Sequence, residues 1–538
     1  MSTIRRRTFL AAGATAGAAG LVSPAASQAV ASSAPGLPAP GPIYARHSSP
    51  ADLGLLEAAS LLRAGKLSST ELVKACQDRI ARRNGEISFA GSASDVNAWI
   101  RIYPDLARKA AAAADTRLAR ARRQRRTLPA LTGVPIGLKD LYAVKGLPVT
   151  ASSKILGGDE ATGVDAIAGN IASGNATVWR RLARQGMVLL GHTHTDEFAI
   201  LGVTPQSGNP WDMSRTTGGS SGGSAAALAA RMTPAALGSD TLGSLRIPAA
   251  FCGVSSIKPT FGLLSSYGVI PMSWSLDTCG PMARSVADCS IMLSAMAGAD
   301  PADPSTEVSG RPSSSYPTLP RRRSKPLAGT RIGVPTNVGT PDAGPAQVLV
   351  RTYRELRALG ATLVEVSIPL FSESLEVKLG NYVDTLTYHS QWFPSRVAEY
   401  GGPAAQILAA VQAQDMRATD YLSLMRDRAA YQATWKTFLA EHDLDAVALL
   451  VSTADPVERG ALATQSPLTN PQNNRLLTFM FNYLGYPTVT VPGGTSAASG
   501  LPVGIQVVGA PFSESSLIQL AIDLQARYPH YREAPTFA

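Results

Sequence analysis

The sequence is poor in cysteine, has few histidines and contains no long apolar run, and each shortage closes off a class of protein. Four cysteines in 538 residues, Cys76, Cys252, Cys279 and Cys289, are too few for a disulfide framework, and their spacing fits no zinc pattern. Cys76 follows Leu72 and Val73 at helical spacing and reads as a core residue; export would permit one bond, for which Cys279 with Cys289 is a weak candidate. No run of about 18 apolar residues is present, so no stable membrane anchor is expected. No Gly-Lys-Ser/Thr closes a glycine-rich loop at the spacing of a phosphate cradle, and there is no internal repeat.

What is present is a chain with 45% hydrophobic content, long enough for one large globular domain or two to three ordinary ones. It opens with Arg5, Arg6 and Arg7 before Thr8-Phe9-Leu10, then a weakly apolar Ala/Gly stretch to Val22 and a small-residue site at Ala29-Val30-Ala31. That layout predicts a twin-arginine-type signal peptide over residues 1–31, and hence a periplasmic or extracellular protein exported already folded. Residues 32–47 read as a disordered leader and 48–536 as the functional domain. Loss of residues 1–31 removes three arginines and no acidic residue, so the net charge falls from +10 to +7. Two basic runs, Arg117 to Arg126 and Arg321 to Lys325, read as a solvated helix face and a surface loop, not as a nucleic-acid site.

Helical and extended patterns alternate along the rest. Ser68-Ser-Thr-Glu71 is a capping box opening a helix with an apolar stripe of Leu72, Val73, Cys76 and Ile80, and Pro104-Asp105 starts a second, Ala- and Arg-rich helix. Val134 to Leu138 reads as a strand that ends at Lys139-Asp140. A helix over 176–185, a strand over 188–190 and an Ala-rich helix over 225–231 follow. The Pro-, Ser- and Arg-rich stretch from Asp300 to Pro326 predicts a surface excursion that could mark a subdomain boundary. Beyond it come strands at 331–334, 362–366, 446–451, 488–491 and 503–508, with helices at 346–359 and 515–525. The pattern indicates an α/β layered fold.

The stretch richest in chemistry runs Gly218-Gly-Ser-Ser-Gly-Gly-Ser-Ala-Ala-Ala227 and continues Gly238-Ser-Asp-Thr-Leu-Gly-Ser-Leu-Arg-Ile-Pro248. An amide carbonyl is a poor electrophile, so a serine attacking it must give its proton to a base while aimed N–H donors meet the oxyanion. Lysine can be that base only if neutral, which burial at the end of an interior strand favours. The glycines around Ser220 and Ser221 free the backbone for unusual turns, and Thr241-Leu-Gly-Ser244 can present consecutive N–H groups.

Here the sequence resembles the amidase signature family. The likeness extends to Gly133-Val-Pro-Ile-Gly-Leu-Lys-Asp140, Asn209-Pro-Trp-Asp212, Lys258-Pro259, Leu276-Asp-Thr-Cys-Gly-Pro-Met-Ala-Arg284 and Gly500-Leu-Pro-Val-Gly-Ile-Gln-Val-Val-Gly509. The resemblance implies a single large α/β/α domain with a central mixed sheet. It implies a Ser-Ser-Lys triad: Ser244 as nucleophile, Ser220 as relay on a cis peptide and Lys139 as base. The oxyanion hole would be the backbone N–H groups of Thr241, Leu242, Gly243 and Ser244, with Ser221, Asp240 and Arg246 in support. No metal or organic cofactor is implied. One departure is Leu242, where the family commonly has glycine: in a left-handed backbone its Cβ would be strained, and its side chain could narrow the acyl pocket. Met232 and Ser255-Ser256 also differ, as structural variation.

His192-Thr-His194 with Asp196 and Glu197 sustains a rival reading, a metal-dependent hydrolase, because His-x-His puts two imidazoles on one face of a strand. The other histidines, His47, His389, His442 and His530, lack ligand spacing, and no Gly-x-Ser-x-Gly elbow has a matching histidine. A second rival is a binding protein whose oxyanion hole Leu242 has spoiled, and a third is the tRNA-dependent transamidase subunit that shares the signature, against which the export signal speaks. Asp240 and Arg246 are expected to pair and hold the oxyanion loop, and Trp211, Trp274 and Phe251 to pack in the core. The expected partner is a small-molecule or peptide amide, not nucleic acid, and a homodimer stays open.

Overall fold

The computed structural model of the chain describes residues 48–157, 170–309, 315–369, 382–459 and 476–536. The expected signal peptide and leader lie outside these residues.

Short apolar runs bounded by turn residues form the strands: β1 (Trp99–Ile102), β2 (Pro135–Lys139), β3 (Val188–Thr193), β4 (Gly208–Asn209), β5 (Asp212–Thr216), β6 (Ala235–Asp240) and β7 (Ser255–Lys258). They continue with β8 (Thr278–Ala283), β9 (Arg331–Pro335), β10 (Thr362–Val366), β11 (Ala446–Leu450), β12 (Thr488–Thr495) and β13 (Pro502–Val508). The first helices are α1 (Leu55–Ala64), α2 (Ser69–Arg83), α3 (Pro104–Arg123), α4 (Thr177–Arg184), α5 (Gly222–Ala229), α6 (Arg246–Cys252) and α7 (Val286–Met296). After them come α8 (Ala343–Ala358), α9 (Tyr382–His389), α10 (Gly402–Ala413), α11 (Ala418–Glu441), α12 (Leu476–Leu484) and α13 (Glu514–Arg527).

Among the described residues eleven strands share one sheet in the order β1-β3-β2-β6-β8-β7-β12-β13-β11-β9-β10, while β4 and β5 form a separate ribbon. β2 runs parallel to both β3 and β6, and β6 then meets β8 antiparallel, so the sheet is mixed. With helices packed on it, this is the α/β/α architecture expected. Every residue of β2 is buried, as in a strand with parallel neighbours on both sides, and the strand carries Lys139 at its C-terminal end in the interior.

The expected capping box holds α2: Ser68 Oγ accepts from the Glu71 N–H, and Glu71 accepts from the Ser68 N–H. Cys76 is buried there as expected. The Cys279–Cys289 bond is not formed; all four cysteines are free and buried, with Cys289 Sγ turned to the Ser255 carbonyl. The stretch from Asp300 does not divide the fold, because β9, β10 and β11 join the same sheet through β13. Its beginning is also pinned inside, where Asp300 accepts from Ser265 Oγ and Asp303 from Ser266. Arg321 in the second basic run pairs with Asp523. No helix among the described residues is long and apolar enough to cross a membrane.

Candidate active site

Lys139 is fully buried, and its Nζ donates to Ser220 Oγ at 2.6 Å and to Ser239 Oγ at 3.0 Å. Burial pushes its ammonium down from 10.5 to about 8, a descent limited by the charges of Asp196, Asp277 and Asp240. A lysine in this state is neutral in a useful fraction near neutral pH and faces a hydroxyl at proton-transfer distance. Ser239 had no signal in the sequence: the parallel register of β2 with β6, Leu138 beside Leu237, brings it within reach of Lys139.

The loop of residues 218–221 leads into α5, with Ser221 at its N-cap. The peptide between Gly219 and Ser220 is cis. Gly219 has no alternative, since a Cβ there would lie 2.6 Å from the Val203 backbone. Ser220 is anchored at its carbonyl by Thr204 Oγ1 at 3.1 Å. Ser221 ties three segments together: its Oγ contacts the Ser239 backbone, and its N–H donates to the Ser244 carbonyl at 3.2 Å. The two serine loops are thereby held side by side, with Ser244 6% exposed and Ser220 fully buried.

The turn between β6 and α6 corrects two expectations. The left-handed position falls on Gly243, at φ +120°, and Leu242 is not among the non-glycine residues with positive φ, so its Cβ meets no such strain. The Leu242 side chain packs between two apolar clusters, one containing Ala199 and Met272 and the other Leu477 and Phe481, and does not line the cavity described below. The second correction concerns Gly243, whose N–H donates to Asp240 Oδ1 at 2.8 Å and is not open to an oxyanion. The N–H groups of Thr241, Leu242 and Ser244 have no acceptor among the described residues.

Asp240 and Arg246 pair as expected, both fully buried, with Arg246 Nε to Oδ2 and Nη2 to Oδ1 each 3.0 Å. Burial alone would raise the Asp240 carboxyl, yet the charge and hydrogen bonds of Arg246 hold it well below the usual carboxylate range. Asp240 also accepts from the Leu245 N–H and Asn482 Nδ2, and Arg246 reaches Asn482 and Gln506. Neither Asn482 nor Gln506 was singled out from sequence, because both come from distant elements, α12 and β13. A buried bidentate pair with all its donors placed is a rigid support for the turn above it.

The histidines of the rival metal reading serve other contacts. His192 bridges the Tyr103 hydroxyl and the Tyr142 carbonyl, and His194 Nε2 reaches the Ser88 carbonyl and Asn97. Burial pushes both imidazoles down to about 4, so they are neutral packing groups at neutral pH. Among the described residues no three His, Cys, Asp or Glu side chains gather as a metal would require.

A small cavity of about 30 Å³ has Ser239, the second hydroxyl that Lys139 reaches, on its wall together with Thr241, Asp277, Met272, Trp274 and Cys279, while Lys139, Ser220 and Ser244 are not on that wall. Trp274 is 50% exposed on that wall and not in the core as expected. Asp277, in the Leu276–Arg284 stretch of the family likeness, carries no role by sequence alone; burial pushes its carboxyl up to about 6 against the pull of Thr241, Ser273 and Met272 donors. A larger cleft lined by Glu197, Val203 and Tyr400 has none of Lys139, Ser220, Ser239 or Ser244 on its wall.

The family model described as Amidase matches residues 71–518. Among curated proteins the chain is similar to a glutamyl-tRNA(Gln) amidotransferase subunit of Anaeromyxobacter dehalogenans, 36% identical over 505 residues, covering 88% of this chain and 96% of that one. Among solved structures it is similar to the native peptide amidase from Stenotrophomonas maltophilia, with TM-score 0.72 and 29% identity over 92% of this chain and 100% of that one. The glutamyl-tRNA(Gln) amidotransferase subunit from Thermotoga maritima gives TM-score 0.69 and 25% identity, covering 91% and 98%. On these matches the chain belongs to the Amidase family and is an amidase-signature hydrolase that cleaves the C–N bonds of amides.

Proposed function

We propose that the protein is an exported amidase that hydrolyses carboxamides to a carboxylate and ammonia or an amine through an acyl-enzyme on Ser244. The observation that carries the reading is the fully buried Lys139 with its Nζ 2.6 Å from Ser220 Oγ. Neutral Lys139 takes the Ser220 proton as Ser220 takes that of Ser244, and Ser244 Oγ attacks the carbonyl carbon. The oxyanion meets the N–H groups of Thr241, Leu242 and Ser244, while Gly243 keeps its bond to Asp240. Collapse breaks the C–N bond, and the proton returns through Ser220 to the leaving amine. Water then attacks the ester by the same relay, releasing the carboxylate and restoring Ser244.

Substrates are small-molecule or peptide amides, a reading supported by the apolar side chains of Leu141, Ile270, Met272 and Trp274 beside Ser239 and by the likeness to a peptide amidase. Export rests on Arg6-Arg7 and the stretch to Ala31. A second reading, in which ammonia passes to a partner protein, is favoured by the 36% identity to a tRNA-dependent amidotransferase component.

Ammonia release from peptide amides and from alkyl and aryl carboxamides, by the purified protein alone, separates these readings. Turnover by the lone chain, lost in Ser244→Ala, with a trapped acyl adduct on Ser244, supports the lone amidase. Activity surviving in Ser244→Ala would sink the proposed nucleophile. A folded reporter carrying residues 1–47 tests export; it should leave the cytoplasm, and Arg6→Lys with Arg7→Lys should retain it inside.

A further inference from the structure

We propose that Asp277 is a positioning residue for the amidase reaction: it clamps the Thr241 end of the oxyanion turn to the lip of the cavity, and its carboxylate is one of three whose charge acts on Lys139. The inference rests on the roles proposed above for Lys139, Ser220 and Ser244.

The clamp follows from register. β6 and β8 pair antiparallel with Asp240 opposite Thr278, so the residues one step beyond, Thr241 and Asp277, stand where the two strands leave the sheet. Thr241 Oγ1 donates to Asp277 Oδ1 at 2.5 Å. The other oxygen, Oδ2, accepts from the N–H groups of Met272 and Ser273 at 2.9 and 3.2 Å. One carboxylate therefore joins the turn that would receive the oxyanion to the loop bearing Met272 and Trp274, and all of these except Ser273 line one cavity. The far end of the same turn is held separately, by Asp240 on Gly243 and Leu245 and by Thr478 Oγ1 on the Leu242 carbonyl. Without Asp277 the turn would be fixed at one end only, and the Thr241 and Leu242 N–H groups would lose their aim.

The charge acts on Lys139. The ionisable groups around Asp277 are Lys139 at the end of β2, Tyr142 in the loop after it and Cys279 on β8. Asp384 of α9 holds Ser273 and Ser275 of the lip from the other side. Lys139 is also faced by Asp196 and Asp240. Tyr142 lies well above its usual 10 and Cys279 is pushed up to about 12, so neither changes charge where the enzyme works. Asp277, pushed up to about 6, is a carboxylate over the range in which Lys139, at about 8, loses its proton. That negative charge holds the lysine proton on to higher pH than burial alone would.

The test measures kcat, KM and the pH profile of kcat/KM for Asp277→Asn, Thr241→Val and Thr241→Ser, with Ser244→Ala alongside, on the best amide of the panel. Asp277→Asn is expected to lower kcat by about tenfold to a hundredfold, and to move the acid limb down by about half a pH unit or more. Thr241→Val should lower kcat similarly with the limb unmoved, and Thr241→Ser, which keeps the hydroxyl, should recover most of it. A residue that only stabilised the fold would change the melting temperature and leave the limb in place. Asp277→Asn with wild-type melting, kcat and acid limb overturns the proposal. Should that variant not fold, the threonine pair decides: loss in Thr241→Val recovered in Thr241→Ser supports the clamp, and wild-type kcat in Thr241→Val overturns it. Ser244→Ala that keeps its activity removes the underlying triad instead, whatever the other variants do.

Discussion

Lys139 and Lys258 are two fully buried lysines at the ends of two strands of one sheet, and only one of them is placed to do chemistry. Burial pushes Lys139 down to about 8 and Lys258 to about 7, the latter assisted by the nearby charge of Arg246. Asp240 raises both, so it is their common neighbour. The difference lies in what each Nζ touches. Lys139 meets the hydroxyls of Ser220 and Ser239, whereas Lys258 donates to the Pro259 carbonyl at 3.1 Å, an acceptor with no proton to give. A lowered pKa makes a lysine available as a base, and a hydroxyl within reach is the second requirement, which Lys139 meets and Lys258 does not.

That contrast can be broken most sharply by removing each amine in turn. Lys139→Ala should lower kcat/KM at least about 10³-fold, while Lys258→Met, close in shape, should stay within about tenfold of wild type. Ammonia-release kinetics on both variants decide it, and equal losses would erase the distinction. Removing the shared neighbour comes next: Asp240→Ala leaves Arg246 buried without its partner and should cost about 3–5 kcal/mol of stability in denaturant titration.

The third effect is smaller and depends on pH. A lysine held at about 7 in the folded chain, against 10.5 unfolded, makes the unfolded state the better proton binder between those values. Stability from this group therefore rises with pH from about 7 toward 10.5. Denaturation midpoints measured across that window should climb less steeply in Lys258→Met than in wild type. Smallest of all, Leu242→Gly should cost about 1–2 kcal/mol of packing and leave kcat nearly unchanged, since Leu242 sits between apolar clusters and its backbone is not left-handed.

Much of this site could be read before the structure, and what could not has a common cause. Lys139, Ser220 and Ser244 lie in local motifs, and β10 falls on the expected residues 362–366 because a short apolar run between turns marks it. β8 was missed because Gly280 and Pro281 interrupt it, and Pro281 stands opposite Leu237 in the interior of the sheet, where proline is rare. Asp277 stands just before β8, and Ser239 lies on β6, whose parallel register with β2 brings it to the lysine and is not written in either strand alone. The Gly243 N–H was misassigned for a related reason: the direction of an N–H depends on the Asp240 side chain three residues earlier, which motif spacing does not report. The idea of a cross-link between Cys279 and Cys289 failed because sequence spacing says nothing of where a strand and the following helix point their thiols.

The central claim is that Lys139 is the base, and the pH dependence of kcat/KM for amide hydrolysis tests it most directly. A single acid limb with an apparent pKa near 8, below which activity falls, is the predicted result, because only the neutral amine can take the Ser220 proton. Activity that stays level from about pH 9 down to pH 6, or the same limb persisting in the residual activity of Lys139→Ala, would contradict it.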